Sequence, residues 1–354
     1  MRVLVSMSGG VDSTVAAKLL IDQGHEVEGI TFWFWSYPGA PDYGETTKCC
    51  SLDSAALAAT QLAIVHRTID ASKLFYKRVL RDYIARYGRG ETPNPCGNCN
   101  RHLRFGLALQ YARENGFDYV ATGHHVRLTR DEKGIVHMFR GIDRNKDQTY
   151  FLYGLQQREL AHLLFPIGEL TKDEVFAIAR RNALHAASLP ESQDLCFAID
   201  GRTDFLFPQD KILPGPIFDM DGNRIGTHDG LAHYTIGQRR GLGIASATPL
   251  YVVGLDADRN AIIVGQEKDL YSKMLTASEA SFTQGEPPCD GMRIEVKIRY
   301  RSPAVTATFH ALSHDHFSVD FDVEQRAVTP GQIVALYDGE ELLGGGIIDN
   351  EVKD

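Results

Sequence analysis

Several things are scarce in this chain, and each shortage excludes a class. No run of residues is long and apolar enough to cross a bilayer. No signal peptide stands at the start: Met1-Arg2 leads straight into a buried-looking strand. Both features predict a cytoplasmic protein with no membrane partner. Cysteine is sparse, 6 in 354 residues, which argues against a disulfide framework and leaves the thiols for catalysis, metal binding or packing. The Gly-Lys-Ser/Thr of a Walker A loop is missing, and so is the G-x-G-x-x-G of a dinucleotide fold. There is no fixed-period repeat and no low-complexity tract. Positive charge is in deficit, with 37 Lys and Arg against 46 Asp and Glu and a net charge of −9. That total gives no hint of nucleic acid, but its distribution does. Residues 73–158 hold 16 Lys/Arg against 8 Asp/Glu, a local +8, so the rest of the chain carries −17. A basic middle in an acidic chain can form a phosphate-binding face, or merely solvated helix surfaces.

The most informative stretch present is Ser8-Gly9-Gly10-Val11-Asp12-Ser13. An apolar strand, Arg2 to Ser6, precedes it. An Ala- and Leu-rich helix, Thr14 to Ile21, follows and ends at Gly24. Strand, Gly-Gly turn and helix N-terminus make an anion site, since unpaired N–H groups and the positive helix end converge there. The glycines let the backbone approach a phosphate. Ser8 and Ser13 add hydroxyls, and Asp12 adds a carboxylate for a phosphate-bridging Mg²⁺. An ordinary capped βα turn explains Gly and Ser, but not two serines around Gly-Gly-x-Asp.

The first ~125 residues alternate strand and helix, which predicts a parallel sheet with helices on both faces. Val27–Phe34, Ile64–Thr68 and Asp118–Thr122 read as strands. Ser51–Leu62, Leu74–Tyr87 and Arg101–Asn115 read as helices. Ser8, Phe32 and Gly123 fall at C-terminal strand ends, where such sheets bind ligands. Beyond about residue 200 prolines and glycines break the chain into short β runs: Tyr251–Val253, Ala261–Val264, Arg293–Arg299, Val305–Ala311, Phe317–Phe321, Ile333–Tyr337 and Gly346–Ile348. They predict a terminal barrel. The expected domains are residues 1–200, 201–272 and 273–354.

Thr92-Pro93-Asn94-Pro95-Cys96-Gly97-Asn98-Cys99-Asn100 reads as a proline-stiffened loop carrying a CxxC. Placed just before a basic helix, it would offer N–H groups to a thiolate at Cys99. Glu191-Ser192-Gln193-Asp194-Leu195-Cys196-Phe197 frames a second thiol in polar residues. Cys49-Cys50 opens a helix and suits a packing or positional role, and Cys289 sits in a turn.

Ser8–Ser13 resembles the PP-loop (SGGxDS) of the ATP pyrophosphatases, which cleave ATP between the α- and β-phosphates and adenylate a substrate. With Cys49-Cys50-Ser51, Thr92–Asn100, ATGHHVR (Ala121–Arg127), NKDQTYFL (Asn145–Leu152), ESQDLCF (Glu191–Phe197), PGPIFD (Pro214–Asp219), YTIGQRRGLGI (Tyr234–Ile244) and GGGII (Gly344–Ile348), the chain resembles the tRNA-specific 2-thiouridylases along nearly its whole length. The resemblance implies an α/β, adenine nucleotide alpha hydrolase-like PP-loop domain, a small central domain and a C-terminal β-barrel. It implies ATP at Ser6, Met7, Ser8, Gly9, Gly10, Val11, Asp12 and Ser13, with Phe32 lining the base and Gly123 touching the nucleotide. Asn94, Pro95 and Cys96 would lie near the flipped uridine. His124, Lys146, Asp147, Gln148, Arg299, Tyr300 and Gln332 would meet tRNA, through the anticodon loops of the Lys, Glu and Gln tRNAs.

The family's chemistry adenylates uridine O2 and then transfers sulfur to C2. Cys196 corresponds to the persulfide carrier and Cys99 to the second catalytic cysteine, which can close a transient disulfide with it. A sulfur-donor protein or a cysteine desulfurase relay would load Cys196. Many members carry Asp where this chain has Cys96. That departure opens a second route, an iron–sulfur cluster on Cys96, Cys99 and Cys196. An amide ligase built on the same loop would need an ammonia source, and neither an N-terminal Cys nucleophile nor a glutaminase segment is present. An RNA-binding protein that holds ATP only structurally would not need two thiols in polar site loops.

Overall fold

Apolar runs, buried on both faces at the centre, lay down a five-stranded parallel sheet. The computed structural model describes residues 1–35, 52–190, 195–198, 202–207 and 212–350. The Cys49-Cys50 pair and Glu191–Asp194 lie outside the described residues. Strand β1 (Arg2–Ser6) is central, with Val3 opposite Val27 of β2 (Glu26–Trp33) on one side and opposite Tyr119 of β4 (Tyr119–Thr122) on the other. Strands β3 (Val65–Asp70) and β7 (Leu163–Leu164) form the edges. The chain winds outward from β1 to β3 and then returns to β4. The switch point, where open α/β sheets place their ligands, is therefore between β1 and β4.

The helices follow the predicted rhythm, with one informative difference. The Leu74–Tyr87 prediction corresponds to a helical run over 72–88, widened by a π turn at Tyr76–Leu80. The run predicted at Arg101–Asn115 starts earlier. It occupies 95–114, again with a π turn, at Asn100–Arg104. Asn94 is its N-cap, accepting from the Cys96 N–H at 3.1 Å, and Pro95 takes the first helical position. The CxxC is therefore the first turn of a helix and not a loop before one. Cys96, not Cys99, sits at the helix start, which corrects the expectation of N–H support for Cys99. The reason is local: Asn-Pro supplies a cap and a preset φ.

After residue 212 the chain is mostly β. Strands β8 (Gly215–Phe218), β9 (Arg224–His228), β10 (Tyr251–Asp256) and β11 (Ala261–Gly265) form a small sheet in the order β10-β11-β8-β9. The last six strands are β12 (Tyr271–Phe282), β13 (Arg293–Lys297), β14 (Val305–Ala311), β15 (Phe317–Arg326), β16 (Ile333–Asp338) and β17 (Glu341–Ile348). They close into a barrel because β12 pairs with both β15 and β17. Closure removes exposed edges. Sequence analysis missed β12. Its Ser- and Ala-rich run lacks clean alternation, and its ladder breaks between Ser278 and Ser281, where Glu279 takes φ +50.

A hairpin of β5 (Val126–Arg130) and β6 (Val136–Arg140) leaves the N-terminal segment and joins the barrel, with Phe139 opposite Glu341. One continuous core links Phe75, Leu103 and Phe105 through Tyr150 and Tyr153 to Ile333, Tyr337 and Leu342. The parallel-sheet region and the barrel thus share an interior.

Candidate active site

The phosphate end is assembled from adjacent residues. Between β1 and α1 (Val11–Asp22), Gly9 turns the chain with φ +80, a conformation that favours glycine. Met7 is tied to β2 on both sides: its N–H donates to Ile30 O at 2.8 Å, and its carbonyl accepts from Thr31 Oγ1 at 2.8 Å. Ser13 Oγ accepts from the Ser8 N–H at 3.1 Å and donates to Gly10 O at 3.2 Å. The Ser8 and Ser13 hydroxyls are 3.2 Å apart. The two serines thus lock the loop's shape as well as lining it. Gly10 is the helix N-cap, without a side-chain cap, so the helix start is left to a ligand.

Gly123 closes the other wall. A Cβ there would lie 2.5 Å from the backbone of both Asp12 and Ser13, so only glycine lets the end of β4 meet the first turn of α1. The next residue, His124, packs near Phe105 and Phe165, and its Nδ1 lies 2.7 Å from Thr122 Oγ1. Burial, with Arg104 nearby, pushes its pKa down to about 3. It is a neutral ring that offers hydrogen bonds, not charge. Phe32 is 3% exposed and stacks toward Phe34 in the core, so its ring is packed away behind the strand end.

Asp12 is half-buried, and its carboxylate is already paired. Both its oxygens accept from Lys172 Nζ, at 2.7 and 2.8 Å, and His125 Nε2 lies 3.4 Å away. Burial alone would raise the Asp12 pKa; His125 and the Lys172 ammonium outweigh it and hold the carboxyl below its usual range. Sequence analysis missed Lys172 and His125. Lys172 opens a helix (Lys172–Arg181) whose Thr171 and Glu174 form a capping box. That T-x-x-E signature was readable, but the contact across 160 positions was not.

The thiol end is built from distant segments. Cys99 is buried in the shared core, and Cys196 packs against the same core. Cys96 is half-buried and Cys289 is exposed. Among the described residues no three His, Cys, Asp or Glu side chains gather as a metal site.

A charged hub anchors the CxxC turn. Arg86, with its side chain 10% exposed, binds Asp82 at 3.0 Å, Glu91 at 3.0 Å and Glu279 of the β12 bulge. Asp82 also accepts from Asn98 Nδ2 at 2.7 Å, inside the CxxC. The barrel completes the support. The Thr92 N–H donates to Pro330 O, the Asn94 N–H to Gly331 O, and Gln332 Nε2 to Thr92 O at 2.6 Å.

The expected RNA-contacting residues divide by what their side chains do. Gln332 holds the segment that leads into the CxxC turn. Arg299 clamps Ala327 O and Thr329 Oγ1, both at 2.8 Å, at the edge of the barrel. Asp147 is 4% exposed, and its carboxylate accepts from the Thr149 N–H and hydroxyl and the Gly141 N–H. That side chain is committed to its own turn. Gln148 Oε1 accepts from the His125 N–H at 3.0 Å, tying this turn to the Gly123 segment. Lys146 is half-buried beside it. The Tyr300 ring sits 4.6 Å from that of Phe151.

A phosphate loop at the switch point of a parallel sheet, backed by a CxxC helix start docked on a closed barrel, defines a PP-loop enzyme of the α/β class with appended β domains. Family models agree along the chain. Residues 1–200 match a tRNA methyl transferase HUP domain, 203–266 a tRNA methyl transferase PRC-barrel domain, and 272–348 an aminomethyltransferase beta-barrel domain. The tRNA-specific 2-thiouridylase MnmA of Moorella thermoacetica is 46% identical over 98% of this chain and 99% of its own length. The MnmA proteins of Acetivibrio thermocellus and Magnetococcus marinus are 42% and 41% identical, each over 98% of this chain and 99% and 98% of their own lengths. The chain belongs to the tRNA-specific 2-thiouridylase family. A solved 4-thiouridine synthetase–RNA complex with bound ATP overlaps 53% of this chain and 42% of its own, at 17% identity and TM-score 0.34.

Proposed function

We infer that the protein is an ATP-dependent tRNA-uridine 2-sulfurtransferase. The observation that carries this is the assembled PP-loop, with Gly123 packed onto its helix start, in a full-length relative of the 2-thiouridylases. ATP would lie along Ser6–Ser13 beyond the ends of β1 and β4. The α-phosphate accepts uridine O2, pyrophosphate leaves, and C2 becomes open to a sulfur nucleophile. The loop's N–H groups and helix end stabilise the charge that develops. A magnesium ion carried on the nucleotide's own phosphates would neutralise charge on the pyrophosphate; in the nucleotide-free loop both Asp12 oxygens are held by Lys172.

Cys196, loaded as a persulfide, supplies the sulfur. Its terminal sulfur attacks C2 and AMP leaves. The Cys99 thiolate then attacks Cys196 Sγ, releasing the tRNA as 2-thiouridine and leaving a Cys99–Cys196 disulfide for an external thiol to reduce. The RNA substrates are tRNAs for Lys, Glu and Gln, read at the splayed wobble base and gripped by the basic 73–158 segment. A cysteine desulfurase relay donates the sulfur, and the reaction belongs to the cytoplasm.

The test is direct. Protein, ATP, Mg²⁺, a persulfide source and unmodified tRNAs for Lys, Glu and Gln are incubated, and the digested RNA is analysed by mass spectrometry. The expected product is 2-thiouridine at the wobble position together with AMP and pyrophosphate. ATP cleavage that depends on a carboxylate and ignores tRNA would overturn the reading in favour of an amide ligase.

A further inference from the structure

We propose that Lys172 is a ligand for the ATP phosphates, parked on Asp12 in the empty loop and handed to the nucleotide when it binds. The proposal rests on the reading that Ser6–Ser13 holds ATP. It assigns a role to a residue that lies 160 positions from Asp12 and whose only local signal is the capping box of its helix.

The argument begins with charge. Asp12 stands in the first turn of α1, at an anion-binding helix start. A carboxylate there repels the very phosphates the loop is shaped to hold. The structure answers with a buried lysine, 8% exposed, whose ammonium touches both carboxylate oxygens. As a stabilising device such a pair is poor, because desolvating two charges consumes most of their attraction. As a reservoir it is useful, since the ammonium can be shared with a triphosphate a short distance away.

Two further features fit a handover. The Lys172 backbone is fixed: Thr171 and Glu174 cap its helix, and the Lys172 N–H donates to Asp143 Oδ2 at 3.0 Å. Movement is therefore confined to the flexible four-carbon side chain. His125 waits beside the pair. It is 2% exposed, its Nε2 lies 3.4 Å from Asp12 Oδ1, and neither ring nitrogen meets a hydrogen-bond partner in good geometry among the described residues. Buried unsatisfied nitrogens need a reason. When the ammonium turns to the phosphates, a small approach lets His125 donate to Asp12 and keeps that carboxylate paired.

The experiment measures equilibrium binding of ATP and of adenosine to the full-length protein, with tRNA affinity and melting temperature as controls. Lys172→Met should weaken ATP binding at least ~10-fold while adenosine affinity stays within about twofold, because the lost contact is to phosphate. Lys172→Arg, which keeps the charge, should bind ATP more tightly than Lys172→Met at equal melting temperature. The double variant Asp12→Asn/Lys172→Met should remain as weak for ATP as Lys172→Met. Recovery of wild-type ATP affinity in the double variant would mean that the pair is only structural, and equal loss of ATP and adenosine would mean the same. A wild-type protein that binds neither nucleotide would fail at the earlier step, the nucleotide loop itself.

Discussion

The phosphate end and the thiol end of this site are built in opposite ways. The loop of the phosphate end comes from one strand, one turn and one helix, and its two serines are fixed by neighbours within five residues, with Gly123, His125 and Lys172 closing on it from farther along the chain. The thiol end draws on the 95–114 helix start, the segment around Cys196, an arginine hub and a barrel loop more than 200 positions away. Local assembly makes the first end legible in a short motif. Long-range assembly makes the second depend on the whole fold. It follows that damage to each end should be separable in the reaction, adenylation at one and sulfur transfer at the other.

The largest effect should come from the thiols. Cys99→Ser and Cys196→Ser should each lower thiolation by at least ~10³-fold, because a hydroxyl carries no transferable sulfur and is a poor nucleophile here. Pyrophosphate release from ATP should persist, since the loop is untouched. Product tRNA and pyrophosphate are measured in the same reaction. Equal loss of both would break the separation of the two ends.

Gly123→Ala tests the converse. The added methyl would meet the Asp12–Ser13 backbone at 2.5 Å and push the first turn of α1 away from β4. Misplacing a reacting group by about 1 Å can cost roughly 100-fold in rate. Adenylation should therefore fall by ~10- to 100-fold, and thiolation with it. Persulfide loading of Cys196 by a sulfur donor should be unaffected, and labelled sulfur on the protein reports it.

How much of this could be read from the chain follows the same division. The strand, the Gly-Gly turn, the helix and Gly123 lie where the sequence places them, because local rules govern a βα turn. The CxxC helix start was misplaced by six residues, from Arg101 to Pro95, although Asn94-Pro95 carried a cap signature. Lys172, His125 and the Arg86 hub were missed because nothing local distinguishes them: each gains its meaning from a partner that only the tertiary fold brings near. Strand β12 was missed because a bulge and small polar residues mask its period. The cluster on Cys96, Cys99 and Cys196 was suggested by Cys96 standing where many family members carry Asp, a departure that a sequence shows but whose consequence depends on long-range placement of Cys196.

Arg86→Met examines the long-range support. It leaves Asp82 and Glu279 without that cation, while Glu91 keeps Arg89 at 2.7 Å. Only Glu91 is as buried as Arg86, and the other two carboxylates are solvated, so the loss is about 1–3 kcal/mol. Melting temperature should drop by several degrees. Sulfur transfer should slow by about ten-fold, since Asn98 loses the support of Asp82, while adenylation per folded molecule changes less. Single-turnover rates for the two steps, corrected for folded fraction, give the answer. Adenylation slowing as much as sulfur transfer would show that the hub serves both ends alike.

The smallest effect concerns the seam where the β5–β6 hairpin joins the barrel. His137 Nδ1 lies 2.7 Å from Glu341 Oε1, and its Nε2 lies 3.7 Å from Asp131 Oδ2. The hydrogen bond to Glu341 raises the His137 pKa against a smaller opposing effect of burial. A raised histidine binds its proton more tightly in the folded state. Its contribution is thus complete below the ordinary imidazole value of about 6.5 and is lost as pH climbs through the folded value. The pair is partly solvated, so it is worth below about 1 kcal/mol. Wild type should exceed His137→Gln in melting temperature by a degree or two at pH 6. The gap should close as the solution is made more alkaline. A difference that grew with pH would reverse the sign and show that His137 is neutral at the seam. Since the hairpin leads directly from the Gly123 segment, the same pH series on adenylation should stay flat if the phosphate end is as self-contained as its local hydrogen bonds make it.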